Sequence, residues 1–435
     1  MIFNSTSIAN KINFSAIDTD KFKASVITFS ITLPLTPKAV AYNLLLSGLL
    51  RRGTRKYPSM AKLNKKLDEL YGSYIEIRSS HVQNNISFIV STEILDNKYI
   101  PDGLDTIGEV IDTVSQIFLQ PKIIDDDFNK DFFSRECEIL TDSLNSEYNN
   151  TRAYSIRRCL EMLQFNSENP TLEELKEIVA NATFDEILEH YRNMIQSAPL
   201  DVFYIGSTES EAVKDRIAKA FSGYPYSSKT KCALNPIVPR TNSSLMSRVE
   251  ELSVSQGKLA MGFNCAACIS GSNDLYYTAL VLNEIFGGAP SSKLFINVRE
   301  KMSLCYYCSS SYSIYTGFMI VSAGIEVSKY DLVKRAILEQ FEQIRKGNIS
   351  KEELNAAKKS LSNSYKQLYD NPFDLQAFYA ARLMFGISDS IDTCIKKILA
   401  VDISDIVRLA NQVELQAEFF VKGKDTLCEE DMQNE

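Results

Sequence analysis

The chain has 435 residues, 45% of them hydrophobic and 23% charged, the balance of a soluble globular protein with too much sequence for one ordinary core. A formal net charge of −8 argues against a nucleic-acid-binding role, because no basic surplus exists to displace phosphate counterions. No run reaches the ~18 apolar residues of a membrane span, the N-terminus lacks a basic start followed by an apolar stretch, and nine cysteines in such a chain point to reduced thiols in the cytoplasm.

Residues 22–33 (FKASVITFSITL) alternate β-branched and aromatic side chains and predict a strand closed by Pro34. Thr36 is placed to cap a helix with Pro37 at its first position, which runs to Arg52 and ends at Gly53. A second helix over 59–71 stops at Gly72, strands follow over 74–80 and 85–92, and a helix over 102–118 precedes a long helical tract over 125–148. Asn149 and Asn150 break that tract, and the helical pattern resumes over 151–163. Thr171 and Thr183 cap two further helices, and the short strand 201–206 (DVFYIG) ends the first half. Residues 225–245, with three prolines and little periodicity, read as a linker.

The second half repeats this order: a strand over 258–268, helices over 275–286 and 292–302, strands over 304–313 and 318–325, and a helix over 329–346. Ser350 and Glu353 then form a capping box for another long helical tract. Tyr148-Asn149-Asn150 is echoed by Tyr369-Asp370-Asn371, and 201–206 by 418–423, both at offsets of about 220 residues. Such a repeat is too long for a solenoid unit. It predicts an α+β fold of two homologous halves, each an antiparallel or mixed β-sheet packed with helices, over 1–224 and 246–435 with the linker 225–245 between them.

The stretch from Gly287 to Gly317 looks most built to touch a substrate. Its Gly-Gly turn, short helix and strand place Arg299 near the helix end and Tyr306 just inside the strand. A guanidinium and a phenol at such a junction make a clamp for a peptide carbonyl or carboxylate, although one Arg and one Tyr near an element end also occur as plain surface packing. Gly287 and Gly288 lack the lysine-bearing tail of a phosphate loop and read as a turn that approaches peptide backbone. Cys265–Cys268 and Cys305–Cys308 repeat a CxxC spacing suited to structural zinc. Both pairs fall in predicted strands, where residues three apart point to opposite faces, so buried reduced cysteines are the favoured reading.

The duplicated halves, the linker and the run 291–307 (SSKLFINVREKMSLCYY) together resemble the pitrilysin, or insulinase, family of zinc metallopeptidases, in particular its processing-peptidase-like two-half subunits. The resemblance implies that Arg299 and Tyr306 are the family's substrate-contacting pair, and the Gly287-Gly288 turn, read from the residues themselves, is the candidate substrate-binding element beside them. Ser303 stands where the family usually has Gly at the helix end, a position Ser tolerates if its backbone avoids the left-handed region. The family's His-x-x-Glu-His motif, counted back from Gly53-Thr54, falls on Leu44, Ser47 and Gly48, so neither histidine nor the base is present. The downstream Glu ligand would fall near Asp142 or Ser143, and neither His81 nor His190 lies where it could restore the pair.

By that resemblance the chain is a non-catalytic, substrate-clamping subunit of a heterodimeric zinc peptidase acting on peptides or unfolded segments. It would bind no cofactor itself, and a homologous partner subunit would supply the zinc, its two histidines and the Glu base. The tract 146–163 (SEYNNTRAYSIRRCLEML) further resembles the zinc-less members found in low-GC Gram-positive bacteria. A catalytically dead structural or assembly protein, or a standalone peptide-binding module, stands as the alternative.

Overall fold

The computed structural model describes residues 3–9, 11–125, 128, 130–163, 168–226, 244–269 and 274–423. The backbone divides into two compact units: Met1–Asn145, Glu168–Asn235 and Asp370–Ala381 form the first, and Ser146–Ser167, Pro236–Tyr369 and Arg382–Glu435 the second. The units therefore depart from the contiguous halves 1–224 and 246–435 by a reciprocal exchange of helical segments. The exchange begins at the repeated marks, Tyr148-Asn149-Asn150 and Tyr369-Asp370-Asn371, where the backbone passes through short 3-10 turns at Glu147–Asn149 and Leu368–Asp370. The expected linker 225–245 lies almost wholly outside the described residues.

In chain order the strands of the first unit are β1 (Phe3–Ile8), β2 (Ile12–Asp18), β3 (Ala24–Pro34), β4 (Tyr74–Val82), β5 (Asn85–Leu95) and β6 (Leu200–Gly206). They assemble as β1-β2-β6-β3-β5-β4, antiparallel except for the parallel pair β2 and β6. The second unit holds β7 (Met246–Leu252), β8 (Gly257–Asn264), β9 (Cys305–Tyr312), β10 (Phe318–Ile325) and β11 (Glu414–Gly423), ordered β7-β11-β8-β10-β9 with β7 and β11 parallel. Five strands of each sheet thus share one order and one parallel pair, the topological counterpart of the sequence repeat. The α+β architecture of two homologous halves is what the repeat predicts.

Each sheet buries a comparable aromatic cluster. Phe29 stacks on Phe221 at 5.4 Å in the first unit, and Phe88 meets Phe118 edge-on at 6.1 Å. In the second, Phe286 meets Phe341 edge-on at 5.0 Å, and Phe263 lies 5.4 Å from the same ring. Aromatic pairs in these geometries contribute about 0.5–1.5 kcal/mol beyond their buried area.

Sequence patterning misses β1, β2 and β7. β1 is an edge strand with the polar sequence FNSTSI, and the edge strand β7 carries Arg248, Glu250 and Glu251, so neither displays the apolar alternation of a half-buried strand. The helix ends agree closely with their signals. Thr36 accepts from the Ala39 amide at 3.1 Å above Pro37–Leu50, and Thr171, Thr183 and Ser350 complete capping boxes.

Candidate functional site

In the first unit, β3 feeds directly into the helix Pro37–Leu50, which carries Leu44, Ser47 and Gly48. Residues 44 and 48 are four apart and share a face. That face looks onto the helix Asp131–Ser146, close enough that a Cβ added at Gly48 would lie 2.1 Å from Glu136 Oε2. The carboxylate opposite Gly48 is therefore Glu136, whereas Asp142 and Ser143, the expected positions, are exposed further along the helix.

Glu136 is not open to a metal. Arg52, one turn beyond Gly48, donates from both Nε, at 2.8 Å, and Nη2 to Glu136 Oε1, while its guanidinium lies 5.1 Å from the Phe132 ring centre. The two side chains are only 18% and 12% exposed, so the pair is largely removed from solvent. An aliphatic side chain, a hydroxyl and a glycine stand where two imidazoles and a carboxylate would be needed. The Ser47 hydroxyl is committed to the Asn43 carbonyl at 2.7 Å. These residues do not fit a zinc ion: one carboxylate remains, and a guanidinium already neutralises it. Among the described residues no three His, Cys, Asp or Glu side chains gather as a metal-binding group.

His190 comes closer than its sequence position suggests. Its Nε2 lies 2.7 Å from Asn43 Oδ1, and its ring meets Tyr42 edge-on at 5.7 Å. It thus contacts the same helix, but at Asn43. Burial lowers its pKa to about 4, so the imidazole is neutral at physiological pH.

In the second unit, the short helix Leu294–Lys301 is wound in wide π-type turns, and Met302 N–H donates to the Asn297 carbonyl five residues back at 3.0 Å. Such turns are rare and recur at functional sites. Lys293 anchors the helix start through Glu353 at 2.8 Å. At the other end Ser303 has φ 51°, inside the left-handed region, so the condition under which Ser is readily tolerated there is not met. Ser303 Oγ, 3.3 Å from the Glu300 carbonyl, partly offsets the strain.

The chain then enters β9 through a β-bulge. Gly324 of β10 pairs with Tyr307 and Ile325 with Cys305, so Tyr306 is the extra, unpaired residue. Tyr307 packs over Gly324, where a Cβ would come within 2.4 Å of its ring, and under Arg152, whose guanidinium lies 4.3 Å from the ring centre. Arg152 also donates to Ser309 Oγ at 3.0 Å, so the helix Thr151–Leu163 fastens the strand. Tyr306 is left 55% exposed on an edge strand. Arg299 is 39% exposed, lies 4.6 Å from the Phe295 ring centre and makes a loose 3.4 Å ion pair with Glu300. Among the described residues no hydrogen bond joins Arg299 to Tyr306, but both border Cys305, which responds electrostatically to Arg299.

Gly287 lies inside this unit. An added Cβ would meet Ser310 N at 2.6 Å and Leu294 Cδ1 at 2.7 Å, and one at Gly288 would meet Glu284 Oε2 at 2.6 Å. The close approach of the Gly287 turn to β9 accounts for that glycine by internal packing. The placement of the cysteines also departs from the sequence reading. Cys265 and Cys268 lie beyond the end of β8, with Ala266 between them in the left-handed region at φ 49°. The bulge at Tyr306 puts Cys305 and Cys308 on one face of β9 rather than on opposite faces. A register irregularity of this kind has no signal in the alternation of a single strand.

Residues 181–361 match the family described as the Peptidase M16 inactive domain. A Bacillus subtilis protein named probable inactive metalloprotease YmfF is 27% identical, over 94% of this chain and 95% of its own length. The crystal structure of a conserved protein from Enterococcus faecalis V583 superposes with a TM-score of 0.85 at 30% identity, covering 97% of this chain and 99% of that one. The chain belongs to the M16 peptidase family. Within it, this is an inactive M16-like protein: Leu44, Ser47 and Gly48 of the first unit supply no metal ligand, the inactive-domain match lies over residues 181–361, and the relative that spans most of the chain is itself named a probable inactive metalloprotease. A second B. subtilis relative, the uncharacterized zinc protease YmxG, is 23% identical over 55% of this M16 chain and 57% of its own length.

Proposed function

We propose that this chain is the substrate-clamping subunit of a heterodimeric zinc peptidase that acts on peptides or unfolded segments, with zinc, imidazoles and base supplied by a homologous partner. The observation that carries the reading is the state of Arg299 and Tyr306. Arg299 is partly exposed and held by a loose ion pair, and Tyr306 is exposed on a bulge that its neighbours keep in place.

The chemistry assigned to the pair is hydrogen-bond donation. Arg299 donates from its guanidinium and Tyr306 from its phenol to a peptide carbonyl, and both bonds strengthen as that oxygen gains negative charge. β9 is an edge strand of its sheet, so an extended peptide can add to its free backbone groups while the two side chains grip one carbonyl. The likeness to a relative named as a zinc protease supports a homologous zinc-bearing partner. The competing reading, a catalytically dead structural protein, draws its support from the Arg52–Glu136 pair, which leaves Glu136 unavailable to a metal.

The test is peptidase activity on mixing this chain with a zinc-bearing homologue from the same cell. The chain alone is expected to cleave no unfolded peptide, and the mixture to cleave it. Arg299→Ala and Tyr306→Phe should each lower kcat/KM of the mixture about a hundredfold, the usual scale for removing one donor to a developing oxyanion. Full activity in both variants would favour the structural reading.

A further inference from the structure

We propose that Arg152 and Lys258 form a binding site for a small dianionic oxyanion of the phosphate class, on the helix-covered face of the second unit's sheet. The inference goes beyond the clamp reading and does not depend on it.

The strand register builds the site. Lys258 of β8, Gly324 of β10 and Tyr307 of β9 stand side by side across the sheet and so share one face. Gly324 carries no side chain, which lets the Tyr307 ring lie over it, and Lys258 Nζ lies 5.6 Å from the centre of that ring. The helix Thr151–Leu163 packs on the same face, where a Cβ at Gly262 of β8 would meet Leu163 Cδ1 at 2.6 Å. From the first turn of this helix Arg152 brings its guanidinium to 4.3 Å from the same ring centre. Arg152 donates to Ser309 Oγ, and Lys258 Nζ donates to Gln256 Oε1 at 3.1 Å, so both acceptors are neutral.

What sets the pair apart is missing negative charge. The other arginines of the helix are matched: Arg157 pairs with Glu147 at 2.7 Å and Arg158 with Glu250 at 3.0 Å. Among the described residues no carboxylate lies within ion-pair distance of Arg152 or Lys258. Burial and the neighbouring Arg152 lower the pKa of Lys258, and the attraction of both cations to the Tyr307 ring offsets their repulsion only in part. Ser322, 3% exposed on the same face, and the buried Tyr307 hydroxyl also find no hydrogen-bond partner, so the face is short of acceptors throughout. A tetrahedral oxyanion fits this deficit. The guanidinium fork takes two of its oxygens, the ammonium takes a third, and two negative charges balance two cations. The site lies one residue along β9 from Tyr306, so a bound anion braces the strand that displays it.

Isothermal titration of the full-length chain with inorganic phosphate, at constant ionic strength, tests the site. Saturable binding of one phosphate per chain is expected, and Lys258→Gln and Arg152→Gln should each weaken it at least about tenfold, the scale of one charge-assisted hydrogen bond. Lys62→Gln, which removes an exposed lysine of the first unit, should leave binding unchanged. Phosphate should also raise the urea midpoint of the wild type but not of Lys258→Gln. Glycerol 2-phosphate, run in parallel, separates the sources: weaker binding than inorganic phosphate assigns the site to the free ion, and equal or tighter binding to a phosphorylated small molecule. No saturable phosphate binding, or the same affinity in Lys258→Gln as in the wild type, would overturn the proposal, as would an equal loss in Lys62→Gln. If Arg152→Gln unfolds because Ser309 is released, Lys258→Gln alone decides.

Discussion

The helix Pro37–Leu50 of the first unit and the helix–strand junction 294–312 of the second dispose of their polar groups in opposite ways. At the first, the polar groups are satisfied inward: Glu136 is bound by Arg52, Ser47 returns its hydroxyl to the helix, and Gly48 leaves room for the carboxylate. At the second, polar groups face outward and the backbone stays strained: Ser303 occupies the left-handed region, the helix keeps its π turns, and a bulge displays Tyr306. Relaxed packing is what a chain reaches when a site no longer has work to do. Strain that persists at a surface junction points to a constraint other than stability.

The comparison can be broken most sharply at the ion pair. Arg52→Ala leaves Glu136 as a largely buried carboxylate without its partner and should destabilise the first unit by about 3 kcal/mol in urea unfolding. Gly48→Ala should cost less, because its Cβ displaces only the flexible end of Glu136. Adding Glu136→Ala, which removes the atoms that the new Cβ meets, should recover part of that loss in a double-mutant cycle, whereas strict additivity would mean that Gly48 does not face the carboxylate.

A comparable but pH-dependent effect belongs to His190. Burial holds its native pKa near 4, while the unfolded imidazole titrates near 6.5, so between these values the unfolded chain binds more protons and stability falls as pH falls. The loss should begin below pH ~6.5, continue towards ~4 and total no more than about 3 kcal/mol. His190→Gln should flatten the curve across that window, and an unchanged slope would assign the pH dependence to other groups. The smallest effect is expected at the second unit's junction. Ser303→Gly removes the left-handed penalty and should stabilise by about 0.5–1 kcal/mol, measured by denaturant midpoint.

Much of this architecture is legible in the sequence because its signals are local. Thr36, Thr171, Thr183 and Ser350 announce helix starts that the structure places where they stand, and the Tyr-Asn-Asn and Tyr-Asp-Asn marks locate both the repeat and the exchange of segments. Arg299 and Tyr306 fall at the helix end and strand start as their spacing implies. What escaped depends on partners distant in sequence. Glu136 is a neighbour of Gly48 only once two helices pack, and the shared face of Cys305 and Cys308 exists only because β10 pairs with β9 out of step. The polar edge strands β1 and β7 were hidden for a related reason, since their strand character comes from a neighbour's hydrogen bonds rather than from their own apolar pattern.

The contrast between an inward-turned first unit and an outward-facing second is tested most directly by kcat/KM of this chain mixed with its zinc-bearing homologue, comparing Arg299→Ala with Arg52→Ala. The account predicts a loss of about a hundredfold for Arg299→Ala at unchanged stability, and for Arg52→Ala only the fall that follows from its smaller folded fraction. Equal activity per folded molecule in both variants, or a specific loss confined to Arg52→Ala, would contradict it.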